Sequence, residues 1–142
     1  LEIDEAGQMR AILFSLVVVF GMSSAVAQDR NSDIQGVIQS QIDAFLQDDF
    51  ATAFTYASPT IKQFFGNPDN FGSMVKQGYP MVWRPSSVEY LDLKPQGPFQ
   101  YQKVLVTDAQ GVPHLLEYQM IESDTGWQIN GVRFLAAPPL GA

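Results

Sequence analysis

At Tyr79 the apolar pattern of this chain changes its period, and that change dictates the layout of any fold it can adopt. Before it, Ile34, Val37, Ile38, Ile42, Phe45 and Leu46 recur at three- and four-residue steps, which gather them on one face of a helix. After it, apolar residues alternate with polar ones, the period of a strand with one buried face. A chain that reads helices first and strands afterwards is expected to fold as α+β, with its helices laid against an antiparallel sheet.

Local signals set the expected bounds. Ser32 with Gln35 three residues on is a capping-box pattern and predicts the start of the long helix. Asp48-Asp49 interrupts the stripe and can cap a short helix carrying Phe50, Ala53, Phe54 and Ala57, which should end at Ser58-Pro59 because a residue before proline avoids helical geometry. Thr60 to Phe65 supplies one more turn. Asp69 to Gln77 reads as a third short helix, with Phe71, Met74 and Val75 inward and Gly78 as a left-handed stop. Val82 to Arg84 and Ser87 to Leu93 read as one strand interrupted at Pro85, followed by Phe99 to Thr107, Val112 to Ile121 and Trp127 to Leu135. Asp108-Ala109-Gln110-Gly111 and Ser123-Asp124-Thr125-Gly126 have the chemistry of tight turns ending in a left-handed glycine, so the strands they join must be antiparallel neighbours. In the last strand Trp127 and Ile129 share one parity while Val132 and Phe134 take the other, which predicts a bulge at Asn130-Gly131.

The first 27 residues read as address. Met9-Arg10 opens a positive start, Ala11 to Phe20 is an apolar run too short to span a bilayer, and Ala25-Val26-Ala27 ends in the small-x-small pattern of signal-peptidase sites. Cleavage is expected between Ala27 and Gln28. The expected organisation is an extraneous segment over 1–8, a secretory signal peptide over 9–27, one domain over 28–135 and a loose tail over 136–142. The expected location is therefore the periplasm or the medium, with no stable membrane anchor after cleavage. Losing Glu2, Asp4, Glu5 and Arg10 changes the formal charge from -7 to -5. An acidic domain lacks the basic field that phosphate backbones demand, which argues against nucleic acid. The absence of cysteine removes disulfides, thiolate metal sites and thiol nucleophiles together.

The order of these elements, closed by the strand Gly126-Trp127-Gln128-Ile129-Asn130-Gly131-Val132, resembles the nuclear transport factor 2-like (cystatin-like) superfamily. More narrowly, Ile38-x-x-Gln41-Ile42-x-Ala44-Phe45, Tyr56-Ala57-Ser58-Pro59, and Gly78-Tyr79-Pro80 with Trp83-Arg84-Pro85 resemble the bacterial domain of unknown function family 4864. The resemblance covers roughly residues 31 to 135. It implies a cone-shaped α+β fold in which a curved four-stranded antiparallel meander wraps the long helix around a cavity. It lends no activity, and superfamily members range from isomerases to ligand binders and assembly modules.

No catalytic constellation is evident. An isomerase-type site needs a tuned carboxylate and an oxyanion donor. Asp43 falls off the apolar arc, Asp48 and Asp49 suit caps, and Asp108 and Asp124 suit turns, which leaves Asp92 and Glu117 on strands of open facing. His114, the single histidine, has no companion at metal-ligand spacing, and no cofactor or metal is expected. Gln41 falls inside the apolar arc, so its amide serves either as an internal tie or as a ligand contact. Tyr79 to Pro85 concentrates aromatics, prolines and a guanidinium. Trp83 and Arg84 there are either a gripping surface or a structural corner with Arg84 paired to an acid. Phe64, Phe65, Phe71, Tyr79 and Trp83 are candidates for the cavity mouth, and Trp127 completes the candidate binding set of Gln41, Tyr79, Trp83, Arg84 and Trp127.

Three functions fit: a non-catalytic binding module for a small apolar or amphipathic ligand or a protein partner, an isomerase or dehydratase using Asp92, Glu117 or His114 with Gln41, and a structural homodimer.

Overall fold

The computed structural model of the protein describes residues 27–136, as five helices followed by four strands. The expected segment 1–8, the leader up to residue 26 and the tail from residue 137 lie outside the described residues. Residues 33–136 belong to one compact unit, and the packing below is that of this unit alone.

The first helix, α1, is already formed at residue 27 and runs to residue 46. Ser32 and Gln35 therefore sit within its turns rather than at its start: where a helix continues upstream, backbone carbonyls do what a capping side chain would do. The stripe of Ile34, Ile38, Ile42 and Phe45 is fully buried, which is worth roughly 1.5–3 kcal/mol per side chain. Leu46, expected in that stripe, is 45% exposed because it is the last helical residue and no further turn flanks it.

The chain then reverses through a Schellman closure. The Asp49 N–H donates to the Ala44 carbonyl at 2.9 Å and the Asp48 N–H to the Phe45 carbonyl at 3.0 Å, with Asp48 in the left-handed region at φ 56°. Asp49 caps α2 (Phe50–Thr55), accepting from the Thr52 N–H at 3.1 Å and the Thr52 hydroxyl at 2.7 Å. Ala57 does not extend α2. Residues 56–58 instead run parallel to the last strand, where the Ile129 N–H donates to the Tyr56 carbonyl and the Ser58 N–H to the Ile129 carbonyl, both at 2.8 Å.

Helix α3 (Pro59–Phe65) starts on the Ser58 cap with proline in its first turn, and α4 (Pro68–Gly78) starts likewise on Asn67. Gly78 is not a left-handed stop; it ends the helix in ordinary geometry, and Tyr79 leaves it because Pro80 follows. Val82 to Arg84, expected as a strand, is instead part of a helical turn, α5 (Pro80–Trp83). Pro80 at the first helical position presets that turn, and Arg84 before Pro85 leaves it at φ -137° and ψ 69°.

The sheet comprises β1 (Ser87–Gln96), β2 (Phe99–Thr107), β3 (Pro113–Ser123) and β4 (Gly126–Phe134), antiparallel in that order. The glycine turns fall where expected, with Gly111 at φ 84° and Gly126 at φ 116°. In β4 Met120 pairs with Ile129 and Gln119 with Gly131, so Asn130 is the extra residue of a bulge. That bulge brings Trp127, Ile129 and Val132 onto the core side. Val104, Val106, Leu116, Tyr118 and Met120 complete the inner face of the sheet and are fully buried. A second bulge, between Tyr90 and Leu93, is tied by the Gln102 amide, which donates to the Leu91 carbonyl at 2.9 Å.

Candidate functional site

The inner face of the sheet is not filled completely. A cavity of about 230 Å³ lies between the helices and β4. Gln41 and Phe45 of α1 form one wall, Ile61 and Phe65 of α3 another, and Phe71, Met74 and Val75 of α4 a third. Tyr118 of β3 and Ile129, Gly131 and Val132 of β4 form the side contributed by the sheet. The bulge matters here, because it turns Val132 inward and sets Gly131, which has no side chain, beside it.

Aromatic contacts hold the helical walls in place. Phe71 lies with its ring centroid 5.3 Å from Phe54, 5.6 Å from Phe65 and 5.9 Å from Phe45. Gly72 lets α4 approach α2, since a Cβ there would stand 2.7 Å from the Phe50 ring. Tyr79 stacks on Phe134 with centroids 5.0 Å apart, and its hydroxyl donates to the Val132 carbonyl at 3.0 Å.

Three of the described lining residues carry polar side-chain atoms. Gln41 is 3% exposed and its Nε2 donates to the Ala53 carbonyl at 3.1 Å, which ties α1 to α2 and orients the amide. Tyr79 is satisfied by Val132. Tyr118 has no accessible surface, and its hydroxyl has no hydrogen-bond partner among the described residues. Burial pushes its ionisation well above the ordinary phenol value, so it is protonated.

The carboxylates and the imidazole lie elsewhere. Asp92 is exposed on β1, and Asp43 is exposed on α1. Glu117 points to the other face of β3 and accepts from Arg133 Nε at 2.7 Å. His114 Nε2 lies 2.9 Å from Asp108 Oδ2. That contact, together with the Val112 and Gln110 N–H groups, holds the Asp108 carboxyl below its usual range. Among the described residues that line the cavity there is no carboxylate and no imidazole. Among the described residues no group of three or more His, Cys, Asp or Glu side chains could hold a metal ion.

Of the five candidate binding residues, the cavity brings together Gln41 and Tyr79. Trp127 packs against the core but is not in its wall. Trp83 and Arg84 lie at the α1–α5 corner and are committed to it. Trp83 Nε1 donates to Asp48 Oδ1 at 2.8 Å and Arg84 Nη2 to the same oxygen at 2.9 Å, while Arg84 Nη1 donates to the Phe45 carbonyl at 2.7 Å. These bonds, the indole's first, hold the Asp48 carboxyl below its usual range. The guanidinium lies 4.2 Å above the indole ring. Of the aromatics expected at the mouth, Phe65, Phe71 and Tyr79 line the cavity, whereas Trp83 is outside its wall and Phe64 is 79% exposed. Tyr118 was not among the candidates. Its signal is a phenol at the same parity as Leu116 and Met120, the core-facing positions of β3.

A family model described as Domain of unknown function (DUF4864) matches residues 27–142. No curated protein and no solved structure matches the chain.

Proposed function

The chain belongs to the DUF4864 family, and we propose that its domain is a non-catalytic binding module that holds a small apolar molecule in the cavity between α1, α3, α4 and β4. The observation that carries this reading is the cavity itself: about 230 Å³, walled by aliphatic and aromatic side chains, with neutral polar groups alone among the described lining residues. A buried apolar space of roughly 150 Å³ is enough to take up benzene. This one suits a substituted ring or a short branched chain, and recognition there is by shape and desolvation with few polar contacts.

The order of helices and bulged antiparallel strands also supports placing the domain in the nuclear transport factor 2-like superfamily. Export to the periplasm or the medium is part of the proposal and rests on the Met9 to Ala27 sequence. The exported protein is then expected to begin at Gln28, which N-terminal sequencing reads directly; an intact leader on protein outside the cytoplasm would refute cleavage.

Titration of the full chain with toluene tests the binding function. Saturable uptake of one molecule per chain, with a rise in melting temperature, is the expected result. Failure to saturate, with no small molecule released on denaturing the purified protein, would remove the function.

A further inference from the structure

Tyr118 narrows the chemistry of the ligand. Its two tyrosine neighbours are satisfied: Tyr79 donates to the Val132 carbonyl at 3.0 Å and Tyr90 to Gln39 Oε1 at 2.9 Å. Tyr118, equally a donor, has no such acceptor among the described residues, although it is fully buried in the cavity wall. The side-chain oxygens of Gln100, Gln102 and Gln128 also lack partners, but none of these residues lines the cavity. An under-used carbonyl oxygen is a common feature of proteins, whereas an unused buried donor is rare and costly.

We propose that the natural ligand is a small neutral molecule of about one ring that carries a hydroxyl group, and that this hydroxyl exchanges a hydrogen bond with the Tyr118 phenol. The assignment rests on the cavity being the ligand site. Neutrality follows from the described lining residues, among which there is no lysine, arginine, histidine or carboxylate. An anion or cation entering it would surrender its hydration with no counter-charge in return. A hydroxyl, rather than a carbonyl, follows from the second polar group. Gln41 has committed its Nε2 to Ala53, so the open end of its amide is the oxygen, an acceptor. A ligand hydroxyl can accept from Tyr118 and still donate, whereas a ketone can use only the first of these partners.

Isothermal titration of the full chain with toluene, p-cresol and benzoate tests the assignment. In a wall with nothing to offer, adding a hydroxyl to toluene would weaken binding by about tenfold or more, the desolvation cost of an unpaired polar group. Here p-cresol is expected to bind at least as tightly as toluene, with benzoate giving no saturable heat. Tyr118→Phe is expected to weaken p-cresol by about tenfold and leave toluene unchanged. Toluene binding tenfold tighter than p-cresol, benzoate binding as well as p-cresol, or a p-cresol affinity that survives Tyr118→Phe would each overturn the hydroxyl assignment while leaving the cavity as a binding site. Failure of toluene and p-cresol alike would instead remove the binding function. The comparison of the three probes on the unaltered chain stands even if the variant does not fold.

Discussion

Asp48 stands at φ 56°, a backbone geometry that glycine usually occupies after a helix. Its carboxylate explains the exception, because it receives both the Trp83 indole and the Arg84 guanidinium and so fastens the end of α1 to α5. Since these bonds lower its pKa in the folded protein, the stabilisation is complete above the ordinary carboxylate range and is lost as pH falls through the lowered folded value. Asp48→Asn keeps the left-handed turn but not the charge, so it is expected to melt below the parent at neutral pH and to converge with it in acid. Thermal melts across that range measure this, and a gap that does not close would assign the effect to the turn instead. An acid after a helix is visible in the sequence as a cap. That two side chains 35 and 36 residues further on would return to it is not visible, because the contact depends on how α5 folds back. Tyr118 was hidden for a related reason: alternation assigns its facing, but an unpaired hydroxyl is known only once every neighbour is placed. Because Tyr118→Phe removes a buried hydroxyl that makes no bond, it should raise the stability of the ligand-free protein by about 1 kcal/mol or more, whereas losing a bonded hydroxyl would lower it by roughly 1 kcal/mol. Denaturant unfolding of the ligand-free protein distinguishes the two.

At the scale of elements, parity carried more than propensity. The phase fault between Ile129 and Val132 is a local count, and it locates the β4 bulge correctly because a buried face tolerates no other solution. Inserting one alanine between Gly131 and Val132 should put Val132 out of phase with Ile129 and turn it away from the core, at a cost of about 3 kcal/mol or more. Asn130→Ala keeps the register and loses only the bonds to Ser58 and Gln119, so it should cost far less. Denaturant midpoints of the two variants separate the roles. The α5 turn misled because Met81, Val82 and Trp83 are good strand residues, and the geometry was decided by Pro80 at the first helical position. Helix α3 presents a further contrast. It has no buried residue, yet its Ile61 and Phe65 form one wall of the cavity. An element with so little burial opens at low free energy, so its amides should exchange with solvent faster than those of β2 and β3 and slow when toluene is bound. Exchange mass spectrometry that finds α3 as protected as the central strands would exclude it as the way in.

For the molecule as a whole, the cavity and the core compete for the same side chains. Phe45, Phe71, Val75 and Ile129 belong to the buried cluster and to the cavity wall at once, so any substitution that fills the space should stabilise the empty protein and abolish uptake. Ile61→Phe makes this test at the wall least constrained by its surroundings. Ile61 is partly buried, lies on a helix with no buried residue and lines the cavity, so a larger side chain there is directed at the space. The variant is expected to melt at the parent's temperature or a few degrees above it, while its affinity for toluene falls by tenfold or more. Large-to-small change at Phe71, which is 6% exposed and touches three other rings, should do the opposite. Phe71→Ala is expected to lose about 3–5 kcal/mol of stability while enlarging the cavity, so that bulkier alkylbenzenes bind to whatever fraction stays folded. If Ile61→Phe retained full affinity, the ligand would have to sit elsewhere, and the apolar space would be a packing defect that the fold tolerates; a matched loss of affinity and gain of stability is the signature of a space kept open for occupancy.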